Sequence, residues 1–218
     1  MRYLHCQFLS YWHPGSGGGL GAELDARVRS QGGLPLLPRR SLKGVLRDAC
    51  ARAEALGWLP ALSESAQADG WTDWLFGKPA REGQPGAPGA PSRPGRLRIG
   101  SAELDAATQA AYRALPQADQ RVAMDGMRAS LYQTTLTEEG VAKEGSLRGI
   151  QVYVPMPLIA PLDWLPGSDD ANEAERGFAA LALCLPLVEG LGGHRTRGLG
   201  RVQLSLLTHL PAAAEAQP

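Results

Sequence analysis

The sequence has no excess of charge of either sign, few aromatic residues and no long apolar run. Its 218 residues carry 22 basic and 22 acidic side chains, so the formal net charge is zero. This balance excludes a uniformly basic nucleic-acid coat protein, although it leaves room for local basic patches. No segment approaches the roughly 18 apolar residues that are needed to cross a bilayer. The sequence therefore predicts a protein that does not partner a membrane.

Cysteine is scarce as well. Cys6, Cys50 and Cys184 are odd in number and lie far apart in the sequence. They fit neither a disulfide framework nor a zinc knuckle, and they indicate buried free thiols in a reducing compartment. The first residues contain no long apolar stretch followed by a small-residue cleavage site, so export is not expected. Together these features predict a cytoplasmic protein.

Glycine and proline, by contrast, are abundant, with 27 and 17 residues. The length is typical of a single domain, which we take as residues 1–218. Many of the prolines and glycines fall in 77–95, and their density predicts an extended surface insertion without core residues. The polar stretch at about 104–148 has no clear periodicity and is interpreted as a second, irregular insertion.

Six patterned segments predict the fold. Residues 41–57 have helical spacing of apolar residues, with Ser41 as the expected N-cap and Gly57 as the expected stop. A second helix is expected over 171–191, kinked or ended by Pro186. The expected strands are 2–12, 96–102, 149–154 and 201–206. This order predicts an α+β fold, a ferredoxin-like or RNA-recognition-type βαββαβ sandwich with long insertions.

Positive charge is concentrated in two parts of the chain. Residues 27–52 contain seven basic side chains and one acid, and residues 192–201 contain three arginines and no acid. Such concentration in a neutral protein favours a surface that binds a polyanion. A simply solvated face is the alternative, because runs of charge are common on protein surfaces.

The first candidate site for phosphate is the start of the first predicted helix. Lys43 and Arg47 are four residues apart and share one helical face. The helix N-terminus adds free amide donors, which favour bound anions. The candidate binding residues here are Arg39, Arg40, Ser41, Lys43 and Arg47.

The second candidate site is the glycine-rich loop at 192–200. Glycine lets the backbone approach a ligand closely, successive amides can form an anion-binding nest, and the arginines add charge-assisted donors. The P-loop pattern and the dinucleotide fingerprint are both absent, so no nucleotide cofactor is expected. The candidate binding residues here are Gly192, Gly193, His194, Arg195, Thr196, Arg197 and Gly198.

Several different short motifs follow one another along the chain in a characteristic order. Residues 34–47 read LPLLPRRSLKGVLR, and residues 193–202 read GHRTRGLGRV. Shorter landmarks lie at 75–77, 96–99 and 140–148. Together they resemble the RAMP superfamily, the repeat-associated subunits of class 1 CRISPR effector complexes. The segment 34–47 is similar to the family's Ser-Leu-Lys-Gly helix start, and 193–202 is similar to its glycine-rich loop and following strand.

This resemblance implies that both candidate sites bind guide RNA along its sugar-phosphate backbone, without reading sequence and without a cofactor. It implies three further kinds of partner: complementary target nucleic acid, sister RAMP subunits and further copies of the chain. The complex would serve antiviral or antiplasmid defence. Arg39 and Arg40 stand where the family usually carries glycine and a small hydroxyl residue, and they add positive charge beside the helix start.

One further segment, 23–28, resembles a loop of type III backbone subunits, in which an aspartate promotes metal-dependent cleavage of bound target RNA. By this resemblance Asp25 is the candidate catalytic residue and the candidate ligand of Mg²⁺ or another divalent cation. The chain is then an endoribonuclease. The simpler role of Asp25 is that of a turn residue or an ion-pair partner of Arg27 or Arg29.

Two other functions stay open. The first is a non-catalytic RAMP subunit that caps the guide 5′ end or belongs to a type IV-like complex. The second is a stand-alone endoribonuclease that processes guide precursors through His13 or His194. The sequence shows no convincing histidine pair for that chemistry, and His13 is expected on the polar surface of a loop.

Overall fold

The computed structural model describes residues 1–15, 28–62, 70–80, 91–165 and 172–210. Within these residues the strands are β1 (Arg2–Phe8), β2 (Ser30–Gln31), β3 (Leu34–Leu37), β4 (Gly77–Lys78), β5 (Arg93–Pro94), β6 (Leu97–Ile99), β7 (Ala102–Glu103), β8 (Arg128–Gln133), β9 (Arg148–Tyr153), β10 (Pro157–Trp164) and β11 (Val202–Leu207). The α-helices are α1 (Arg39–Ala55), α2 (Gly70–Phe76), α3 (Ala106–Ala114), α4 (Gln117–Gly126) and α5 (Glu173–Cys184).

A seven-stranded antiparallel sheet organises most of these elements. Its strand order is β11-β1-β10-β7-β3-β2, and β6 also pairs with β10. Leu4 of β1 lies opposite Ala160 on one side and Leu206 on the other. The first strand is therefore central, between the strands that precede and follow α5. This arrangement confirms the predicted ferredoxin-like α+β fold.

The core lies on one face of this sheet. Side chains of a strand alternate between faces, and the inward set of β1 and β10 is almost fully buried: Leu4, Cys6, Phe8, Leu158, Ala160 and Leu162. They form one apolar cluster with the buried faces of α1 and α5. Cys6, Cys50 and Cys184 are all buried and free, which confirms the prediction made from their number and spacing.

The third strand of the core is not the one predicted. Residues 148–153 do form a strand, but they pair with β8 in a separate hairpin, and the core strand is β10. Strand β10 was not predicted because it contains prolines, which lack the backbone N–H that donates hydrogen bonds between strands. Pro161 is tolerated since it faces the break between β6 and β7, where the amide of Gly100 donates to its carbonyl at 2.9 Å. A Cβ at Gly100 would lie 2.5 Å from the Pro161 ring.

The stretch 104–148 is also more regular than predicted. It contains α3, α4 and β8, so the description of an irregular insertion is wrong. Asp105 caps α3 by accepting from the amide of Thr108 at 2.9 Å. The hairpin β8–β9 is hydrogen-bonded to the segment that follows β1, because Trp12 and Tyr153 exchange backbone hydrogen bonds at 3.1 and 2.8 Å.

The helix ends differ slightly from the prediction. α1 begins at Arg39 after Pro38, so Ser41 lies in its first turn and is not the N-cap. Gly57 follows α1 with a φ of +68°, as expected for a stop signal. α5 ends at Cys184, and Pro186 lies in a short 3₁₀ helix that continues from it.

The predicted proline-rich and glycine-rich insertion begins and ends in paired backbone. Strands β4 and β5 pair antiparallel at its two ends. Residues 81–90, which form its centre, lie outside the described residues. No helix in the described part of the chain is long and apolar enough to cross a membrane.

Candidate nucleic-acid interface

The start of α1 presents exposed cations to solvent. The preceding Pro38 has a φ of −63° and leads directly into the helix. Among the described residues, no side chain caps this end in the usual way, but the amide of Arg39 donates to Ser101 Oγ at 3.3 Å. Arg39, Arg40 and Lys43 are all exposed.

Two adjoining grooves lie beside this helix start. The first, of about 320 Å³, has an apolar floor that includes Leu97, Ile99 and Leu165. Its cationic lining is Arg39, Arg40, Lys43 and Arg98. The second, of about 380 Å³, is lined by the cations Lys43, Arg47, Lys78 and Arg93. Since Lys43 lines both grooves, they form one basic surface along this side of α1.

Arg47 is engaged with the protein itself. Its guanidinium donates to the carbonyl of Gly77 and to Asp73 Oδ1, the latter at 2.6 Å. Lys78 Nζ lies 3.9 Å from the other oxygen of Asp73. Asp73 thus offsets part of the positive charge in the second groove and fixes α2 against α1. The structure places Arg47 beside Lys43, as the helical spacing predicts, but in a structural ion pair.

The glycine-rich loop is held against the chain that follows β1. The amides of Gly193 and Gly200 donate to the carbonyls of His13 and Tyr11, each at 2.7 Å. Gly192 has a φ of +93°, and a Cβ there would lie 2.7 Å from the carbonyl oxygen of His13. Only glycine allows this approach of the two backbones.

The arginines of the loop lie on a single 3₁₀ turn, Arg195–Arg197. Left-handed residues bound this turn on both sides, His194 with a φ of 56° and Gly198 with a φ of 81°. Arg195, Thr196 and Arg197 are exposed, and Arg197 Nη1 donates to Gln133 Oε1 of β8 at 2.9 Å. The loop therefore presents its cations outward while the hairpin β8–β9 supports one of them.

The structure brings two histidines together. His13 is buried, with 4% of its surface exposed, and its Nδ1 lies 2.7 Å from the carbonyl oxygen of Gln151. The ring of His194 meets it edge-on, with centroids 5.6 Å apart. The prediction that His13 is a polar surface residue is wrong, because the hairpin and the glycine-rich loop enclose it. The two residues are too distant in sequence for their pairing to be predicted.

The loop and α1 meet in a third groove, here called the junction groove, of about 400 Å³. Val45 and Arg52 line it from α1, and Arg195, Thr196 and Arg201 line it from the loop and its end. The Arg52 guanidinium is oriented by the carbonyl of Leu187 at 2.8 Å and by Asp48 at 3.2 Å.

The cations at the start of α1 and those of the glycine-rich loop consequently lie on opposite flanks of α1. At 100° per residue, Lys43 and Arg47 project to one side, and Val45 and Arg52 project to the other. The exposed ridge between them carries short side chains and one acid: Ser41, Gly44, Asp48 and Ala51. Nothing among the described residues lies within 4 Å of where a Cβ of Gly44 would be. An extended polyanion can cross this low ridge and contact cations on both flanks.

Sequence reasoning missed several residues that line the grooves. Arg52 and Arg201 belong to the two basic stretches but were not assigned to a site, and Arg98 was seen as the polar position of a strand. Lys78 and Arg93 lie near the two ends of the insertion at 77–95. Charge density alone could have indicated Arg52 and Arg201, whereas the positions of Lys78 and Arg93 depend on the pairing of β4 with β5.

Asp25 lies outside the described residues. The described chain on either side of it is paired, because Gly15 and Val28 form an antiparallel bridge and the amide of Val28 donates to Gln151 Oε1 at 3.4 Å. No group of three or more His, Cys, Asp or Glu side chains that could hold a metal ion occurs among the described residues.

The chain resembles solved subunits of two kinds of complex. A chain of the type III-B Cmr-β complex in its apo state is 13% identical over 95% of this chain and 97% of that chain, with a TM-score of 0.58. A chain of the same complex bound to cognate target RNA is 13% identical over 94% and 96%, with a TM-score of 0.59. A chain of a type IV-B CRISPR complex is 15% identical over 100% and 95%, with a TM-score of 0.54.

At these identities the structural likeness establishes the fold. No curated protein sequence matches the chain. The family model of the RAMP superfamily matches residues 5–203, which include α1, the glycine-rich loop and all of the grooves' basic residues. The chain belongs to the RAMP superfamily.

Proposed function

We propose that this protein is a guide-RNA-binding subunit of a CRISPR effector complex. The observation that carries the proposal is the placement of basic grooves on both flanks of α1, with the glycine-rich loop closing the junction groove. Membership in the RAMP superfamily supports it. So does the likeness in fold to chains of type III-B and type IV-B complexes.

Binding follows the sugar-phosphate backbone of the guide. The grooves offer guanidinium and ammonium donors, which suit phosphate oxygens and carry no sequence information. Base pairing between guide and target then supplies specificity, while the protein supplies shape and charge. Complementary target nucleic acid is therefore a second partner.

Sister RAMP subunits and further copies of the chain are the protein partners. Four apolar side chains of the hairpin β8–β9 and its tip are at least 60% exposed: Tyr132, Leu136, Val141 and Leu147. Exposed apolar patches are typical of surfaces that contact other molecules. The exposed apolar side chains of this hairpin support it as a contact surface for a neighbouring subunit.

Asp25 is proposed to promote cleavage of bound target RNA with a divalent cation. One carboxylate together with phosphate oxygens and water is a ligand set that Mg²⁺ accepts, which suits a chain without a preformed metal cluster among its described residues. The bound cation would polarise a phosphate oxygen. Asp25 itself would hold the cation or orient the 2′-hydroxyl.

The second candidate is a non-catalytic subunit that caps the guide 5′ end or belongs to a type IV-like complex. The likeness in fold to a chain of a type IV-B complex, which covers 100% of this chain, supports membership in a type IV-like complex. Loss of target cleavage in Asp25→Ala supports the catalytic function, and unchanged processing supports the alternative. The stand-alone endoribonuclease is disfavoured, because His13 is too enclosed to act on a substrate, which leaves His194 without an accessible second histidine for acid–base catalysis.

The test of RNA binding is its salt dependence. Reversing the charge of Arg195 and Arg197 to Glu should weaken binding of single-stranded RNA and reduce the slope of log K against log salt by about 0.7 for each lost phosphate contact. Arg121→Glu is the matched control, since Arg121 is an exposed arginine of α4 that lies outside both the glycine-rich loop and the three grooves. An unchanged slope in the double variant would remove the loop from the interface.

A further inference from the structure

Within the proposed RNA interface, we propose that His194 is a proton-carrying contact to RNA phosphate and that His13 is the residue that positions it. RNA binding then takes up a proton at His194. This inference rests on the proposed function, and it adds proton uptake at His194 and a positioning role for His13, which RNA binding alone does not require.

The backbone at His194 is the first observation. Its φ of 56° makes it the only non-glycine residue with a left-handed backbone among the described residues. A side chain in this conformation is strained by about 1–2 kcal/mol, and such strain persists where the surrounding structure enforces it. A glycine would relieve the strain, and glycines occupy 192, 193, 198 and 200 in the same loop. The loop instead carries an imidazole at this position.

The surroundings of that imidazole are the second observation. The His13 ring is fixed at its Nδ1 by the carbonyl of Gln151 at 2.7 Å. A carbonyl only accepts hydrogen bonds, so Nδ1 carries the proton and donates it. The backbone of His13 also holds Gly193, through its carbonyl at 2.7 Å. His13 thus contacts the loop twice, by its backbone and by its ring, and limits where the His194 ring can lie.

Charge gives the direction of the proton effect. The titratable groups that face His194 are His13, from the segment after β1, and Arg197 of the loop. The hairpin β8–β9 contributes the uncharged Gln133 amide and the Gln151 carbonyl. Burial, and then His13 and Arg197, lower the pKa of His194 below its ordinary 6.5. Without RNA, His194 is therefore neutral near pH 7.

A phosphate beside His194 has the opposite effect on its pKa. Its negative charge stabilises the imidazolium, so the pKa of His194 is higher in the complex than in the free protein. Affinity is then greatest below the free-state pKa. It falls as pH rises through the window between the free-state and bound-state values, by at most about tenfold per pH unit for one proton, and levels off above it.

The experiment measures binding of a fluorescent single-stranded RNA to the full chain at low ionic strength, from about pH 5 to about pH 8, where histidine titrates. Wild type should lose affinity on the order of threefold to tenfold across the window. His194→Gln should bind with no such fall. His5→Gln changes a partly exposed histidine of β1 that lies outside the glycine-rich loop and the three grooves, and it should keep the wild-type profile. Calorimetry in buffers of different protonation enthalpy should show proton uptake in wild type and none in His194→Gln.

His13→Asn tests the positioning role. The asparagine amide can keep the donor to the Gln151 carbonyl, while the neighbouring imidazole is lost. The pKa of His194 should rise, and the pH at which affinity falls should move upward. A purely structural role for His13 would lower affinity equally at every pH. An identical pH profile in wild type and His194→Gln would overturn the inference while leaving RNA binding intact. No RNA binding by wild type at any pH would overturn the proposed function as well.

Discussion

The guanidinium of Arg47 lies 2.6 Å from the carboxylate of Asp73 and also donates to the carbonyl of Gly77. Both side chains are largely buried, with 33% and 22% of their surfaces exposed. One of the four cations predicted at the start of α1 therefore joins α1 to α2. The neighbouring Lys43, one turn earlier on the same flank, is exposed.

This difference predicts that alanine at position 47 mainly lowers stability, whereas alanine at position 43 mainly weakens RNA binding. Arg47→Ala should lower the free energy of unfolding by about 1–2 kcal/mol, because it removes the donor to the Gly77 carbonyl and leaves Asp73 with only the more distant Lys78 as a charged partner. Lys43→Ala should change stability by less than about 0.5 kcal/mol but weaken RNA binding. Urea unfolding and an RNA-binding titration on both variants provide the measurement. The assignment is wrong if Arg47→Ala unfolds like wild type and loses RNA instead.

Two glycines of the loop make a second matched pair. Gly192 and Gly198 both have positive φ, 93° and 81°, so alanine costs about 1–2 kcal/mol of backbone strain at either one. At Gly192 the new Cβ would also lie 2.7 Å from the His13 carbonyl oxygen, whereas at Gly198 it meets no described atom within 4 Å. Gly192→Ala should therefore destabilise the protein more and displace the loop. Thermal unfolding measures the loss of stability in both variants. Equal losses of stability would mean that the loop is not held against His13.

The sheet offers a third comparison. Gly100→Ala would place a methyl group 2.5 Å from the Pro161 ring, so it should destabilise the pairing of β10 by about 1–3 kcal/mol. Gly44→Ala lies in α1, in open space among the described residues, and should stabilise the helix by about 0.8 kcal/mol. Urea unfolding should move the two midpoints in opposite directions. A neutral Gly100→Ala would contradict the position of Pro161 opposite the strand break.

Much of the fold is predictable because its patterns are local. The alternation of β1 and the helical spacing of α1 follow directly from one buried face on each element. Strand β10 is not predictable in this way, since Pro157 and Pro161 are acceptable only where neighbouring strands leave a donor unnecessary. The helices α3 and α4 were missed because each buries a single residue, Tyr112 and Met124, which leaves almost no periodic signal.

The candidate site was predictable in composition more than in arrangement. Basic density and glycines identify the α1 start and the loop, but the sequence does not show that they flank one helix on opposite sides. Nor does it show that Asp73 binds Arg47. The contact between His13 and His194 depends on the path of the chain after β1. Backbone hydrogen bonds hold Trp12 against Tyr153 and His13 against Gly193. Such contacts follow from tertiary structure.

Asp25→Ala addresses catalysis separately from binding. The variant should lose cleavage of complementary target RNA in the assembled complex and keep its RNA affinity within about twofold, because one carboxylate contributes little to attraction of a polyanion. Chelation of divalent cations should reproduce the loss in wild type. A parallel fall in affinity and cleavage would identify Asp25 as a structural residue, and cleavage that survives the substitution would remove it from the reaction.

If this RAMP protein binds guide RNA, that RNA should remain with it when it is purified together with the products of neighbouring genes, and sequencing the co-purified RNA tests this. We expect RNAs of uniform length that carry a repeat-derived end. The Arg195→Glu, Arg197→Glu double variant should retain less of this RNA than Arg121→Glu. A complex that assembles without RNA, or with fragments of random length and origin, would contradict guide-RNA binding.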